Sequence, residues 1–225
     1  PFLIQSDTET GRAITLITPD SERTFATFLG AAVELSASGI RHLASGIFPN
    51  YNYLHIEGYL VQNHELIRTA LELAKANGLL VSLDMASYNV VEANLDFLTE
   101  MVKKYVDILF ANEEEAQVFT GYEPGQALHH ISQYCEVAVV KTGKNGSLVK
   151  SKEVVSEIGI IPVNPIDTTG AGDLYAAGFL YGHSLGWPMQ QCGEAGALLA
   201  GNIIEEIGAK MPETRWETVR KMVTR

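Results

Sequence analysis

The chain has 225 residues, is 46% hydrophobic and has a mean hydropathy of +0.06, enough apolar material to bury one full core. Its net charge of −11 argues against a nucleic-acid or anionic-membrane partner, and no apolar run of about 18 residues is present. Any anion site must therefore be built locally, from backbone amides and a metal rather than a broad basic field, and the two cysteines, Cys135 and Cys192, read as reduced thiols within helices of a cytoplasmic protein.

In chain order, Ala13–Thr18 and Arg23–Phe28 read as strands joined by a turn at Pro19-Asp20-Ser21-Glu22. Tyr53–Ile56 is a short strand. Asn63 is placed to cap a helix running to Asn77, with Leu66, Ile67, Ala70, Leu71 and Ala74 as its apolar stripe and Gly78 as its stop. Leu79–Asp84 is a continuous apolar strand, followed by one helix near Val90–Tyr105. Val106–Ala111 is a strand, with helices over Asn112–Thr120 and Pro124–Tyr134. Val137–Lys141, Ser147–Lys150 and Glu153–Ile161 are strands. Three helices close the chain, near Gly170–Ser184, Pro188–Glu206 and Glu213–Val223.

Apolar strands without alternation, separated by amphipathic helices, predict an α/β fold with a mostly parallel sheet covered on both faces. Ligands in such sheets bind beyond the carboxyl ends of the strands, where Asp84, Asn112, Thr142 and Asp167 all fall.

The most informative stretch is Ile166–Phe179, where Asp167-Thr168-Thr169 leads into Gly170-Ala171-Gly172 and then Asp173. A loop that becomes a helix at its glycines presents helix-end amides that lack intrahelical acceptors, at the positive end of the macrodipole. That is an anion site, and bare glycines let a phosphate approach the backbone. Asp173 would repel a phosphate, so its presence there suits a general base acting on an attacking hydroxyl. A plain reading, with Thr169 as cap and an acidic first turn, accounts for Thr169 and Asp173 and leaves both glycines unexplained. Six fixed positions of Asp-Thr-x-Gly-Ala-Gly-Asp arise by chance on the order of once in 10⁵ chains of this length.

The motif resembles the second signature of the ribokinase, or phosphofructokinase B, family of carbohydrate kinases. The resemblance extends to Gly11–Ala32 as a lid hairpin, to Asn112-Glu113-Glu114-Glu115 as an Asn-x-x-Glu segment, to Val139–Val149 and to Gly208–Pro212. The branch is closer to the adenosine-kinase-like and sugar-kinase-like members. The resemblance implies one ribokinase-like α/β/α domain over 1–225 with 11–30 as a partial β lid. It also implies that this domain is incomplete at its N-terminal side, because an early substrate-binding Asp and a Gly-Gly segment are missing. The implied activity is transfer of the ATP γ-phosphoryl group to a primary alcohol of a sugar or nucleoside. Two alternatives stay open: a non-catalytic nucleotide-binding relative, and a kinase of a vitamin-type alcohol.

The resemblance also assigns residues. Asp173 is the base and Gly170, Ala171 and Gly172 form the anion hole. Asn112, Thr142, Gly143 and Gly146 lie beside the nucleotide phosphates, and Ala197 and Asn202, within 195–202, line the adenine pocket. Glu115 organises Mg²⁺ through water. Asp167 and Thr169 match positions that hold a monovalent cation, K⁺, in many relatives. Lys141 or Lys144 adds charge near the phosphates or is solvated. His129, His130 and His183 have no partners at metal-ligand spacing and read as helix surface. The unpartnered hairpin edge predicts association with a second copy.

Overall fold

In a computed structural model, which describes residues 5–18 and 23–223, the fold is α/β with a mostly parallel central sheet. The strands are β1 (Thr10–Ile17), β2 (Arg23–Gly30), β3 (Tyr53–Glu57), β4 (Leu80–Asp84), β5 (Ile108–Asn112), β6 (Val137–Lys141), β7 (Ser147–Ser151) and β8 (Val154–Ile158). β1 and β2 form a two-stranded sheet, and the others a six-stranded sheet in the order β3-β4-β5-β6-β7-β8. The helices are α1 (Ala37–Ile47), α2 (His64–Ala76), α3 (Tyr88–Ala93), α4 (Leu95–Tyr105), α5 (Glu113–Thr120), α6 (Pro124–Ile131), α7 (Ala171–Ser184), α8 (Met189–Ile203) and α9 (Glu213–Val223). No helix among the described residues is long and apolar enough to cross a membrane. The expected turn at residues 19–22 lies outside the described residues.

The chain divides into two compact units, one built on Thr27–Lys141 and the other on Thr142–Val149 and the residues from Val155 onward. In the first, β3 to β6 are parallel, with Glu57 opposite Asp84, Asp84 opposite Phe110 and Asn112 opposite Lys141. The strands are near-continuous apolar runs, and Val81, Leu83, Leu109, Phe110, Ala111 and Val137–Val140 are almost fully buried, as a two-sided sheet requires. Asn63 caps α2 by accepting the Leu66 amide at 3.1 Å, and the stripe from Leu66 to Ala74 is buried.

Three local readings need correction. The helix expected over Val90–Tyr105 breaks at Asn94, whose side chain donates to Val90 O (2.9 Å) while its carbonyl accepts Leu98 N and starts α4. An Asn that bonds its own backbone competes with the helix. The last predicted strand stops at Ile158, so Asp167 sits in the irregular stretch ahead of α7 rather than at a strand end. Cys135 follows α6 instead of lying within it; Cys192 is in α8, and both are free thiols. α1 carries Gly39 and Gly46, each costing about 1 kcal/mol of helix propensity, which hides it from a periodicity reading.

In the second unit α7 and α8 pack at backbone distance. A Cβ on Gly178 would stand 2.6 Å from Ala195 O, and one on Gly196 2.8 Å from Tyr175 O. Leu199, Ile203, Met211 and Val219 form the core beneath, with Ala171, Leu174 and Trp216 against it.

Candidate active site

The first unit gathers its polar residues where β4, β5 and β6 end, at Asp84, Asn112 and Lys141. Lys141 Nζ donates to Asp84 Oδ2 at 2.6 Å, and the two side chains are only 17% and 8% exposed. Burial opposes the lysine charge, but Asp84, Glu115 and Glu57 together outweigh it and raise its pKa. In the structure Lys141 thus pairs with Asp84 and is largely shielded from solvent. The other Asp84 oxygen accepts Ala86 N at 3.2 Å, where the chain takes a positive φ of 67°.

Asn112 and Glu115 cap α5 reciprocally. Asn112 Oδ1 accepts Glu115 N (2.8 Å), Glu115 Oε2 accepts Asn112 N (2.7 Å), and Glu115 Oε1 accepts Asn112 Nδ2 (2.7 Å). Glu115 is 2% exposed, and burial pushes its pKa up to about 7; Lys141 opposes this, and Asp84 and Glu114 add to it. Glu113 and Glu114 are exposed.

The second unit holds the motif at 167–173. Ile166 N and Asp167 N both donate to Ile204 O, at 2.7 and 3.2 Å, fixing the loop to the end of α8. Asp167 is 1% exposed. Its Oδ1 accepts Thr169 N (2.8 Å) and Thr169 Oγ1 (2.6 Å), and its Oδ2 accepts Gly208 N (2.8 Å). Thr169 thus braces the loop and does not cap the helix. The N-cap of α7 is Gly170, with no side-chain hydrogen bond to the helix.

Gly170 has φ 80°, and a Cβ there would meet the Ala209 Cβ at 2.9 Å. This glycine thus has a structural reason of its own, independent of any bound anion. The opened helix end is nonetheless real. Ala171 N donates to Thr168 O at 3.2 Å, so of the three expected donors only the Gly170 and Gly172 amides lack an acceptor among the described residues. Asp173 stands in the first turn with an exposed side chain.

Asp167 Oδ1 thus accepts two protein donors and Oδ2 one, of the roughly four acceptor sites a carboxylate offers.

Thr142 and Gly146 close a tight turn, because Thr142 N (2.8 Å) and Oγ1 (3.0 Å) both donate to Gly146 O. The Thr142 hydroxyl therefore serves its own loop. Gly146 has φ 90°, and a Cβ there would run into Ile158 O. Gly143, at the tip, is exposed, and its amide has no acceptor among the described residues. On α8, Ala195 and Leu199 are core, whereas Ala197 and Asn202 are half-buried. Asn202 Nδ2 bonds Leu198 O (2.8 Å), and its carbonyl accepts Arg215 Nη1 (3.1 Å).

Sequence reasoning missed the Lys141–Asp84 pair; its signal was a lysine closing an apolar strand. It also missed Arg215, which binds Glu205 at 2.7 Å and Glu206 at 3.0 Å. Among the described residues no group of three or more His, Cys, Asp or Glu side chains could hold a metal ion.

The pfkB family carbohydrate kinase profile matches residues 1–215. The chain belongs to that family. It is 30% identical over 153 residues to a 5-dehydro-2-deoxygluconokinase of Geobacillus thermodenitrificans, a match covering 63% of this chain and 45% of that protein. It is 34% identical over 120 residues to a cytidine kinase of Thermococcus kodakarensis, covering 50% of this chain and 42% of the relative. Adenosine kinase from Sinorhizobium meliloti superposes with a TM-score of 0.87 at 31% identity, over 95% of this chain and 66% of that structure. The chain thus spans about half the length of the curated relatives it matches.

Proposed function

We propose that this chain carries the phosphoryl-transfer machinery of a kinase that moves the ATP γ-phosphoryl group to a primary alcohol of a sugar or nucleoside. One observation carries the reading: α7 starts at a left-handed Gly170 without a side-chain cap, leaves the Gly170 and Gly172 amides without acceptors among the described residues, and sets exposed Asp173 in its first turn. The names of the relatives, a sugar-acid kinase and two nucleoside kinases, support the acceptor class.

In this reading Asp173 accepts the hydroxyl proton as the acceptor oxygen bonds to phosphorus. In a loose transition state that proton leaves late, so a weakly basic carboxylate is adequate. The Gly170 and Gly172 amides hold charge developing on the phosphoryl oxygens, with Ala171 N sharing its hydrogen with Thr168 O. Each such donor is worth ~3 kcal/mol in a transition state, against ~0.3–1 kcal/mol for a helix dipole acting on an exposed anion. Local amides dominate. Mg²⁺ would arrive with the nucleotide, because the ion gives up its waters reluctantly and is usually held by substrate phosphates and one or two carboxylates. The ion would offset phosphate charge, and the family resemblance gives Asn112 and Glu115 the part of ordering its waters. Gly143 would meet a phosphate with its amide, Thr142 and Gly146 holding the turn that presents it; Ala197 and Asn202 would face the base. The hairpin of β1 and β2 would act as the lid.

Asp173→Asn should lower kcat by roughly 10²–10⁴ while ATP binding persists. Turnover within about threefold of wild type would remove Asp173 from the role of base.

A further inference from the structure

Tyr175 lies two residues beyond Asp173 on α7, and its hydroxyl meets that of Ser147 at 2.6 Å. Tyr175 is 5% exposed and Ser147 3%, so each hydroxyl supplies the other's hydrogen bond away from water. Burial pushes the phenol pKa up to about 12, with Ser147 pulling it partly back, so the group is no acid or base near neutral pH. α8 makes room for the ring with glycines: a Cβ on Gly196 would stand 3.2 Å from its Cδ1 and Cδ2, and one on Gly193 3.4 Å from its hydroxyl.

Ser147 is the first residue after the Thr142–Gly146 turn. That turn is closed by two hydrogen bonds to Gly146 O and backed by Ile158 O, so whatever fixes Ser147 fixes the Gly143 amide at its tip. A Phe–Ala pair would serve the core without a buried polar atom. A hydroxyl pair adds direction, because a hydrogen bond weakens steeply once its angle fails.

We propose that the Tyr175–Ser147 pair is a positioning device that sets the Thr142–Gly146 turn against α7, so that the amides of Gly143 and Gly172, which lack acceptors among the described residues, act as one phosphate-binding set. The ligand in this proposal rests on the kinase reading; the coupling of turn to helix does not.

Amide hydrogen exchange and MgATP kinetics on wild type, Tyr175→Phe and Ser147→Ala test it. Each variant should raise exchange at 143–147 and 170–174 together by about tenfold, the scale of one hydrogen bond, with the rest of the chain unchanged. KM for MgATP should rise about tenfold while kcat moves far less. A rise in one segment only, no rise, a uniform rise over the chain, or an unmoved KM beside raised exchange would overturn the proposal. A wild-type protein that neither binds nor turns over MgATP would instead contradict the kinase reading, and the exchange pattern would still decide the coupling.

Discussion

The two units treat their polar residues in opposite ways. At the strand ends of the first, Lys141 and Asp84 answer each other, and Asn112 and Glu115 close a reciprocal cap. At the start of α7 in the second, Asp167 and Thr169 brace the loop from behind, and the Gly170 and Gly172 amides are left without acceptors among the described residues. Burial accounts for the difference. Charges removed from water must be paired or hydrogen-bonded, as Asp84 is by Lys141 in the first unit and Asp167 by three protein donors in the second. Helix-end amides are neutral and can stay open to solvent, ready for an anion. The glycines at 170 and 172 therefore carry more of the site than their size suggests.

The first unit depends most on Lys141. Lys141→Met leaves Asp84 and Glu115 buried without their cation and should cost about 3–5 kcal/mol of stability, read by denaturant unfolding. Asp84→Leu in the same chain should recover most of that loss, because the uncompensated charge then disappears. A loss below about 1 kcal/mol would mean that water reaches the pair.

Glu115 makes the stability of the first unit depend on pH. Folding raises its pKa from 4.5 to about 7. Below 4.5 folded and unfolded forms both hold the proton, and the group's contribution is complete. Between 4.5 and 7 the folded form keeps a proton that the unfolded form has lost, so stability falls as pH rises, by up to about 3 kcal/mol, and levels off above 7. Glu115→Gln should therefore gain on the wild type across that window. Parallel stability curves for the two proteins would show that Glu115 ionises normally.

Much of the architecture was legible because its signals are local. β6 and α9 match the sequence boundaries residue for residue, since an apolar run and an amphipathic segment bounded by polar residues leave little choice. The features that escaped are decided by partners distant in sequence or by one side chain. Asn94 splits a helix by bonding Val90 O, and α1 forms despite two glycines by packing on α2. At the site, the motif 167–173 announced an open helix end. That Thr169 binds Asp167 instead of capping, and that Gly170 is required by Ala209, depends on loop contacts that spacing does not encode. The Lys141–Asp84 pair joins residues from two strands and was invisible for the same reason.

In the proposed mechanism the Gly170 and Gly172 amides, without acceptors among the described residues, receive phosphate at the start of α7. Calorimetric titration of MgATP into wild type and Gly172→Val, with a thermal melt of each, tests it most directly. A branched side chain at 172 should weaken MgATP binding tenfold or more, about 1.4 kcal/mol, while the melting temperature stays within about 3 °C. Unchanged affinity, or lost affinity together with a collapsed melting temperature, would contradict the account.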